Sequence, residues 1–233
     1  MIMNLELTPK LAPQGISDFT DIIQLQGDLI LPSRAQGVVL IAQSGNIKNS
    51  HYDNLSNLLY RANLATLTIN LLTPSETIFD QHTRQLRFDA AGVLANRVVN
   101  ITDWLHDHPE TQHLPIGYFG EGAVGAAILV AATKRISVVK AVVSLGGWLD
   151  LIWPTLSQVY TPTLLIVGEL DLPMITVNQE AIYLINQVLD KCMEIIPGAS
   201  HRFVESEALE KVESMTSEWF QLFLHDCNMC LRK

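Results

Sequence analysis

Two side chains that can do acid–base chemistry follow predicted strands late in the chain. Asp171 comes shortly after the apolar run Thr163–Val167, and His201 comes shortly after the run Met193–Pro197. A carboxylate that orients a His makes that His a general base, and the chain order nucleophile, acid, His is typical of one kind of hydrolytic triad. Asp171 could equally form a turn or cap a helix. His201, one of seven His residues, could lie in an ordinary surface loop, but its spacing and order favour the catalytic interpretation.

A nucleophile in such a triad belongs on a tight strand-to-helix turn, which needs small residues. The segment Gly117–Gly125 (GYFGEGAVG) has that character, but its exposed middle position is Gly122, which has no side chain. The letters GEGAVG also match the G-x-G-x-x-G pattern of dinucleotide-binding loops. This match lies in the middle of the chain, and no acidic residue ends the next predicted strand, Lys140–Ser144. We therefore disfavour a nucleotide site and keep a merely structural turn as the other alternative.

A third polar segment, Ala42–Asn46 (AQSGN), follows the predicted strand Gly37–Ile41. A loop at this place can supply a backbone N–H to an oxyanion hole. Ser44 adds a hydroxyl group, but nothing in the sequence brings it to His201, and we favour a plain polar turn.

The elements that must position these residues alternate between strand and helix. Such alternation with short connections predicts an α/β fold of three layers, with a mostly parallel central sheet and helices on both faces. We expect one domain over residues 1–233, with loosely ordered tails at 1–20 and 226–233. The predicted strands are Gly37–Ala42, Ala65–Leu72, Ile116–Gly120, Lys140–Ser144, Thr163–Gly168 and Met193–Pro197, preceded by a hairpin-like pair over Ile22–Leu31 around Gly27. The predicted helices are Tyr52–Asn63, Phe88–His108, Gly122–Thr133, Asn178–Leu189 and Ala208–His225.

Composition excludes several classes of partner. The formal net charge is -9 and no stretch concentrates Lys and Arg, so we expect no nucleic-acid binding. The apolar stretches are too short to span a bilayer and no leader segment is visible, so we expect a soluble, cytoplasmic protein that does not bind membranes. Three cysteines suit a reducing compartment, and we interpret Cys227 and Cys230 (CNMC) as part of a frayed tail rather than a metal or redox site. We predict no metal and no cofactor.

Together these segments resemble the dienelactone hydrolase-like branch of the α/β-hydrolases. The resemblance runs from about Gly27 to Leu224. The matching segments are Leu64–Leu67 (LATL), Leu71–Thr73 (LLT), Thr83–Asp89 (TRQLRFD), Gly117–Gly120 (GYFG), Thr161–Gly168 (TPTLLIVG) and Pro197–His201 (PGASH). The resemblance implies the α/β-hydrolase fold, a nucleophile at position 122, an acid at Asp171, a base at His201 and an oxyanion loop over Gln43–Asn46.

The chain departs from the family pattern at the site itself. The family carries a Ser or Cys where this chain has Gly122, and it has basic residues where this chain has Leu145 and Trp148. Val124 stands where the turn usually has glycine, from which we expect a relaxed turn. Without a nucleophile no acyl-enzyme forms at position 122.

We therefore expect a pseudoenzyme that binds a small apolar molecule or a protein partner. The mouth of the site is made apolar by Trp148 and Trp153, and the expected binding residues are Gln43, Ser44, Glu121, Ala123 and Trp148. An alternative is an atypical ester or lactone hydrolase, or a lyase, in which His201 and Asp171 act as a general base without a covalent intermediate. A role in assembly through the outer helices is a third hypothesis. The oligomeric state is left open.

Overall fold

Apolar runs rich in β-branched residues form the strands of one sheet. The computed structural model describes residues 2–7, 25–45 and 50–225. The strands are β1 (Ile2–Leu7), β2 (Leu25–Ile30), β3 (Gly37–Gln43), β4 (Leu64–Asn70), β5 (Ile116–Glu121), β6 (Val139–Leu145), β7 (Thr163–Gly168) and β8 (Lys191–Ile196). They form an eight-stranded sheet in the order β1-β2-β4-β3-β5-β6-β7-β8. β2 pairs antiparallel with β1 and β4, and all other pairs are parallel.

Helices cover both faces of this sheet. They are α1 (Ser50–Arg61), α2 (Pro74–Thr83), α3 (Gln85–Phe88), α4 (Ala95–Asp107), α5 (Ala123–Lys134), α6 (Trp153–Leu156), α7 (Leu172–Leu184) and α8 (Ser206–Leu224). A π-helical turn, Ala90–Leu94, precedes α4, and a 3-10 turn, Leu149–Ile152, precedes α6. Within the described residues no helix is both long enough and apolar enough to cross a bilayer.

The core has two apolar clusters, one on each face of the sheet. Alternate residues of β3 separate into them: Val38 and Leu40 pack with residues of α4, α5 and α7, and Val39 and Ile41 pack with residues of α1 and α8. This two-residue period is what a strand covered on both sides requires. The predicted fold class, three layers around a mostly parallel sheet, is confirmed.

The hairpin predicted around Gly27 is wrong over its described part, because Leu25–Ile30 is one strand. Gly27 is needed there for space: a Cβ at this position would lie 3.0 Å from the Thr68 carbonyl oxygen of β4. Ile2–Leu7 forms strand β1, although the sequence predicted a loose tail over residues 1–20. Residues 8–24 and 226–233, with Cys227 and Cys230, lie outside the described residues.

The long helix predicted over Phe88–His108 is divided in the structure. The carboxylate of Asp89 accepts hydrogen bonds from the backbone N–H groups of Gly92 and Val93, which begins a new helical segment after α3. The helix predicted over Asn178–Leu189 instead begins at Leu172, immediately after Asp171, and ends at Leu184. Its C-terminal carbonyl groups at Ile182 and Ile185 accept hydrogen bonds from the ammonium group of Lys191.

Candidate active site

The segments singled out in the sequence follow the carboxyl ends of adjacent parallel strands. Ala42 of β3 lies beside Gly120 of β5, and Gly120 lies beside Ser144 of β6. β7 and β8, which precede Asp171 and His201, continue the sheet on the same side. In open α/β sheets this edge is where ligands bind.

Gly122 forms the turn between β5 and α5 in a left-handed conformation, with φ 57° and ψ -122°. Its N–H donates to the Leu145 carbonyl at 3.0 Å, and its own carbonyl accepts from the Trp148 N–H at 3.1 Å. The turn has therefore not relaxed, and the expectation drawn from Val124 is wrong. Val124 is buried, and its Cγ1 would be 2.9 Å from a Cβ at Gly120, so the glycine at 120 makes the room for it.

The space above Gly122 is bordered by the indole ring of Trp148. A Cβ built on Gly122 would lie 3.6 Å from both Cε2 and Nε1 of the Trp148 indole, which is ordinary van der Waals distance. The Trp148 ring is half-buried and packs against Phe88, with ring centroids 5.9 Å apart. An indole edge therefore faces the place where a side chain at position 122 would begin.

His201 and Asp171 are brought into hydrogen-bond contact by the loops after β8 and β7. Nδ1 of His201 lies 2.5 Å from Oδ2 of Asp171, and the two side chains are 50% and 11% exposed. Asp171 precedes α7, but its side chain makes no capping hydrogen bond, so helix capping does not account for it. With Nδ1–H donating to the carboxylate, the neutral imidazole carries its lone pair on Nε2. Among the described residues Nε2 has no hydrogen-bond partner.

The loop that carries His201 is held by two carboxylates. The Gly198 N–H donates to Glu169 at 2.7 Å, and the Ser200 N–H donates to Glu205 at 3.2 Å. Hydrogen bonds from the backbone N–H of Glu205 itself and from Ser200 lower the pKa of the Glu205 carboxyl. Phe203, at φ 48°, buries its ring in the core. The Phe203 ring would lie 3.9 Å from a Cβ at Gly146, so the His201 loop rests on the Leu145–Trp148 loop.

The loop after β3 is fixed by a residue that the sequence interpretation missed. Asn70, at the end of β4, donates from Nδ2 to the Gly45 carbonyl at 2.8 Å, and its Oδ1 accepts from the N–H groups of Gly45 at 3.3 Å and Leu72 at 3.0 Å. Its only signal in the sequence is an amide at a strand end. Ser44 is half-buried and makes no hydrogen bond with His201. Asn46 lies outside the described residues.

The remaining predicted binding residues also line this edge. Gln43 ends β3 and is buried, Glu121 ends β5 and is half-buried, and Ala123 begins α5 and is buried. These residues thus lie at the same edge of the sheet as Gly122, and their roles in binding remain predictions.

An ion pair supports the segment that follows Asn70. Arg97 of α4 binds both carboxylate oxygens of Glu76 at 2.6 and 2.8 Å and also donates to the Leu71 carbonyl at 2.5 Å. Burial raises the pKa of Glu76, but hydrogen bonds from Arg97 and from Thr73 outweigh that effect and leave the pKa below its ordinary value. Within the described part of the chain, no group of three or more His, Cys, Asp and Glu side chains could hold a metal ion.

The chain has relatives among curated proteins, although no family model matches it. Two proteins from Mycobacterium tuberculosis strains, each named "Putative phosphoribosyl transferase", are 37% identical over 216 residues. The match covers 91% of this chain but 47% of each relative. The chain therefore spans about half the length of these two proteins.

Solved structures share both the fold and, in one case, much of the sequence. Est1E from Butyrivibrio proteoclasticus has a TM-score of 0.68 at 13% identity, covering 93% of this chain and 98% of its own, which shows a common fold. Dienelactone hydrolase from Anabaena variabilis has a TM-score of 0.84 and is 41% identical, and the match covers 96% of this chain and 99% of that one. Since both sequence and fold agree over the whole length of that enzyme, the chain belongs to the dienelactone hydrolase family.

Proposed function

We propose that this family member uses the site at Gly122 to bind a small apolar molecule, or a protein partner, and forms no acyl-enzyme. The observation that carries the proposal is Gly122 itself: the turn keeps a strained backbone at φ 57° but presents no hydroxyl or thiol. A covalent intermediate needs such a nucleophile. Loss of one triad member leaves roughly 10³–10⁴-fold acceleration over water in a triad hydrolase.

The surroundings of Gly122 support binding of an apolar molecule. Trp148 and Phe88 present aromatic surface, and Leu145 is buried beside the turn. The side chains of Gln43, Ser44 and Glu121 supply the few polar groups that fix orientation in a typical ligand site. Ala123 adds a small apolar contact at the start of α5.

A second candidate is supported by the contact between His201 and Asp171. Their 2.5 Å hydrogen bond is the arrangement that lets a His act as a general base on water or on an acidic proton of a bound molecule. The reaction would then be ester or lactone hydrolysis by direct attack of water on the carbonyl carbon, or elimination, with no covalent bond to the protein. A rate that does not change with pH through the range where His titrates would argue against this candidate.

The experiment that separates the two candidates is nitrophenol release from a short-chain nitrophenyl ester, measured for the native protein and for His201→Ala. For a binding protein we expect both rates to equal the rate in buffer. A native rate clearly above that of His201→Ala would contradict the binding proposal and support general-base catalysis. Circular dichroism of both proteins checks that the substitution leaves the fold intact.

We also propose a reducing, cytoplasmic location. Cys192 is a free thiol in the described part of the chain, and burial is the main reason that its pKa is raised. Such a thiol resists oxidation. Fractionation of cells with a specific antibody tests the location directly.

A further inference from the structure

We propose that the ligand of this site carries a hydroxyl group that lies over Gly122, between the indole N–H of Trp148 and Nε2 of His201. This inference rests on the proposed function, because it names the chemistry of the molecule bound there. In effect the ligand supplies the hydroxyl that the chain lacks at position 122.

Trp148 provides a hydrogen-bond donor aimed at the vacant position. Its Nε1 lies 3.6 Å from where a Cβ of residue 122 would be. The residue is fixed at both ends, since its backbone N–H donates to the Gly122 carbonyl and its ring packs on Phe88. Within the described residues its indole N–H has no acceptor. An indole N–H can only donate, so it calls for an oxygen on the ligand.

His201 provides a hydrogen-bond acceptor on the other side. Because Nδ1 is committed to Asp171, the neutral ring offers its Nε2 lone pair to the site. The loop of His201 is seated on the loop of Trp148 through the contact between Phe203 and Gly146. The loops that carry the two side chains therefore adjoin at the same edge of the sheet.

A hydroxyl group matches this pair, because it accepts one hydrogen bond and donates another. A carbonyl or ether oxygen satisfies the indole N–H but offers nothing to Nε2. A carboxylate also only accepts, and it would bring a negative charge towards Asp171. Since Trp148 and its neighbour Phe88 present aromatic surface beside this position, the ligand class that fits is an apolar alcohol or a phenol.

Three probes of similar size separate these possibilities: p-cresol has a hydroxyl, 4-methylanisole has only an acceptor oxygen, and toluene has neither. Binding is followed by nuclear magnetic resonance of the Trp148 indole N–H, assigned as the signal that Trp148→Phe removes, and by calorimetry. We expect p-cresol to bind about ten-fold more tightly than 4-methylanisole, since a well-formed hydrogen bond contributes about that factor. His201→Ala should remove most of this preference, because only the hydroxyl donates to Nε2. Trp148→Phe, followed by calorimetry, should instead remove the advantage of 4-methylanisole over toluene, because both oxygens accept from the indole N–H.

Substitutions at position 122 give a matched control. Gly122→Ser places a hydroxyl of the chain in the proposed position, so the preference for p-cresol over 4-methylanisole should disappear. Gly122→Ala adds a methyl group without a hydroxyl, so it should weaken the binding of all three probes to a similar extent.

Three results would overturn the inference in distinguishable ways. Equal affinity of the native protein for p-cresol, 4-methylanisole and toluene would overturn the hydroxyl assignment and leave apolar binding at the site standing. Failure of all three probes to bind would overturn both the inference and the small-molecule form of the proposed function. A preference for p-cresol over 4-methylanisole that survives His201→Ala, or a preference for 4-methylanisole over toluene that survives Trp148→Phe, would overturn the inference, because other groups would then recognise the oxygen.

Discussion

Gly122 is the residue on which the interpretation of this chain depends, and its backbone gives a first prediction. A residue with a Cβ is strained at φ 57°, although the space for a methyl group is open. We therefore expect Gly122→Ala to lower the free energy of unfolding by about 1–2 kcal/mol, measured by urea denaturation. Gly198→Ala, at φ 68° and with no atom near its Cβ position, is the matched control and should cost a similar amount. A stabilised Gly122→Ala variant would mean that the turn is relaxed after all.

Asn70 carries a second prediction at the scale of single residues. Its side chain makes three hydrogen bonds that hold the loop after β3. Asn70→Ala leaves these backbone groups without partners, so we expect a loss of about 1–3 kcal/mol and faster amide hydrogen exchange at Gly45 and Leu72. Asn70→Asp keeps the acceptor for both N–H groups and loses only the hydrogen bond to the Gly45 carbonyl, so exchange at Gly45 and Leu72 should rise less than in Asn70→Ala. Unchanged exchange in both variants would show that the loop is fixed by other contacts.

The contact between Asp171 and His201 was easier to predict from the sequence than the residues that hold the neighbouring loops. Asp171 and His201 could be chosen because type, chain order and position after a strand coincide. Asn70 and Phe203 could not, because an amide at a strand end and an aromatic residue in a loop have many ordinary uses. Each is important because of a neighbour distant in sequence: Asn70 binds Gly45, and Phe203 lies against Gly146.

At the scale of elements, the start of α2 depends on a charged pair. Glu76 completes a capping box with Thr73 and binds the buried guanidinium group of Arg97. Glu76→Gln leaves that cation unpaired, so we expect a loss of about 3 kcal/mol in urea denaturation at neutral pH. Glu207→Gln, in the exposed first turn of α8, is the control and should change stability by less than about 0.5 kcal/mol.

The same pair predicts a pH dependence with a definite sign. The pKa of Glu76 is lowered in the folded protein. The ionised carboxylate therefore adds its full contribution to the free energy of unfolding above the ordinary carboxyl pKa. That contribution is lost as pH falls through the lowered pKa. The difference in the free energy of unfolding between the native protein and Glu76→Gln should therefore become smaller in acid. A difference that grows on acidification would contradict this assignment.

A carboxyl group in helix α8, that of Glu213, predicts a pH dependence of stability with the opposite sign. Burial, and then the nearby charge of Glu210, raise the pKa of Glu213, whose Oε1 is buried without a hydrogen-bond partner. Its ionised form therefore destabilises the fold above the raised pKa, and this cost is absent below the ordinary carboxyl pKa. We expect Glu213→Gln to raise the melting temperature at neutral pH and to have no effect in acid. A lower melting temperature at neutral pH would show that the carboxylate has a stabilising partner.

Element boundaries show where sequence patterns are informative and where they are not. Helix α2 was missed although its start, Thr73 to Glu76 (TPSE), has the capping-box spacing with Pro in the first turn. The break between α3 and α4 had no such signal, because the apolar spacing runs straight through it and only the Asp89 side chain decides it. The periodic centres of strands and helices were predicted well, since burial on one face or both faces fixes them.

At the scale of the whole molecule, alternating strands and helices were enough to predict the layers but not the contacts between distant loops. The parallel strands β3 to β8 bring their carboxyl ends to one edge, which is why loops far apart in sequence lie together there. The fold also explains how the turn keeps its backbone with glycine at position 122. The turn is held by main-chain hydrogen bonds to Leu145 and Trp148, and none of these involves a side chain at position 122.

The most direct test of the central claim is the reaction of the protein with a fluorophosphonate, followed by intact mass spectrometry. We predict no adduct on the native protein or on Gly122→Ala, and one phosphonyl group on Gly122→Ser, where the new hydroxyl lies beside Trp148 and within the site of His201. Addition of His201→Ala to Gly122→Ser should abolish that adduct. An adduct on the native protein that depends on His201 would contradict the account, because it would reveal a nucleophile elsewhere in the site. A folded Gly122→Ser variant that stays unmodified would show that the site around position 122 no longer activates a nucleophile.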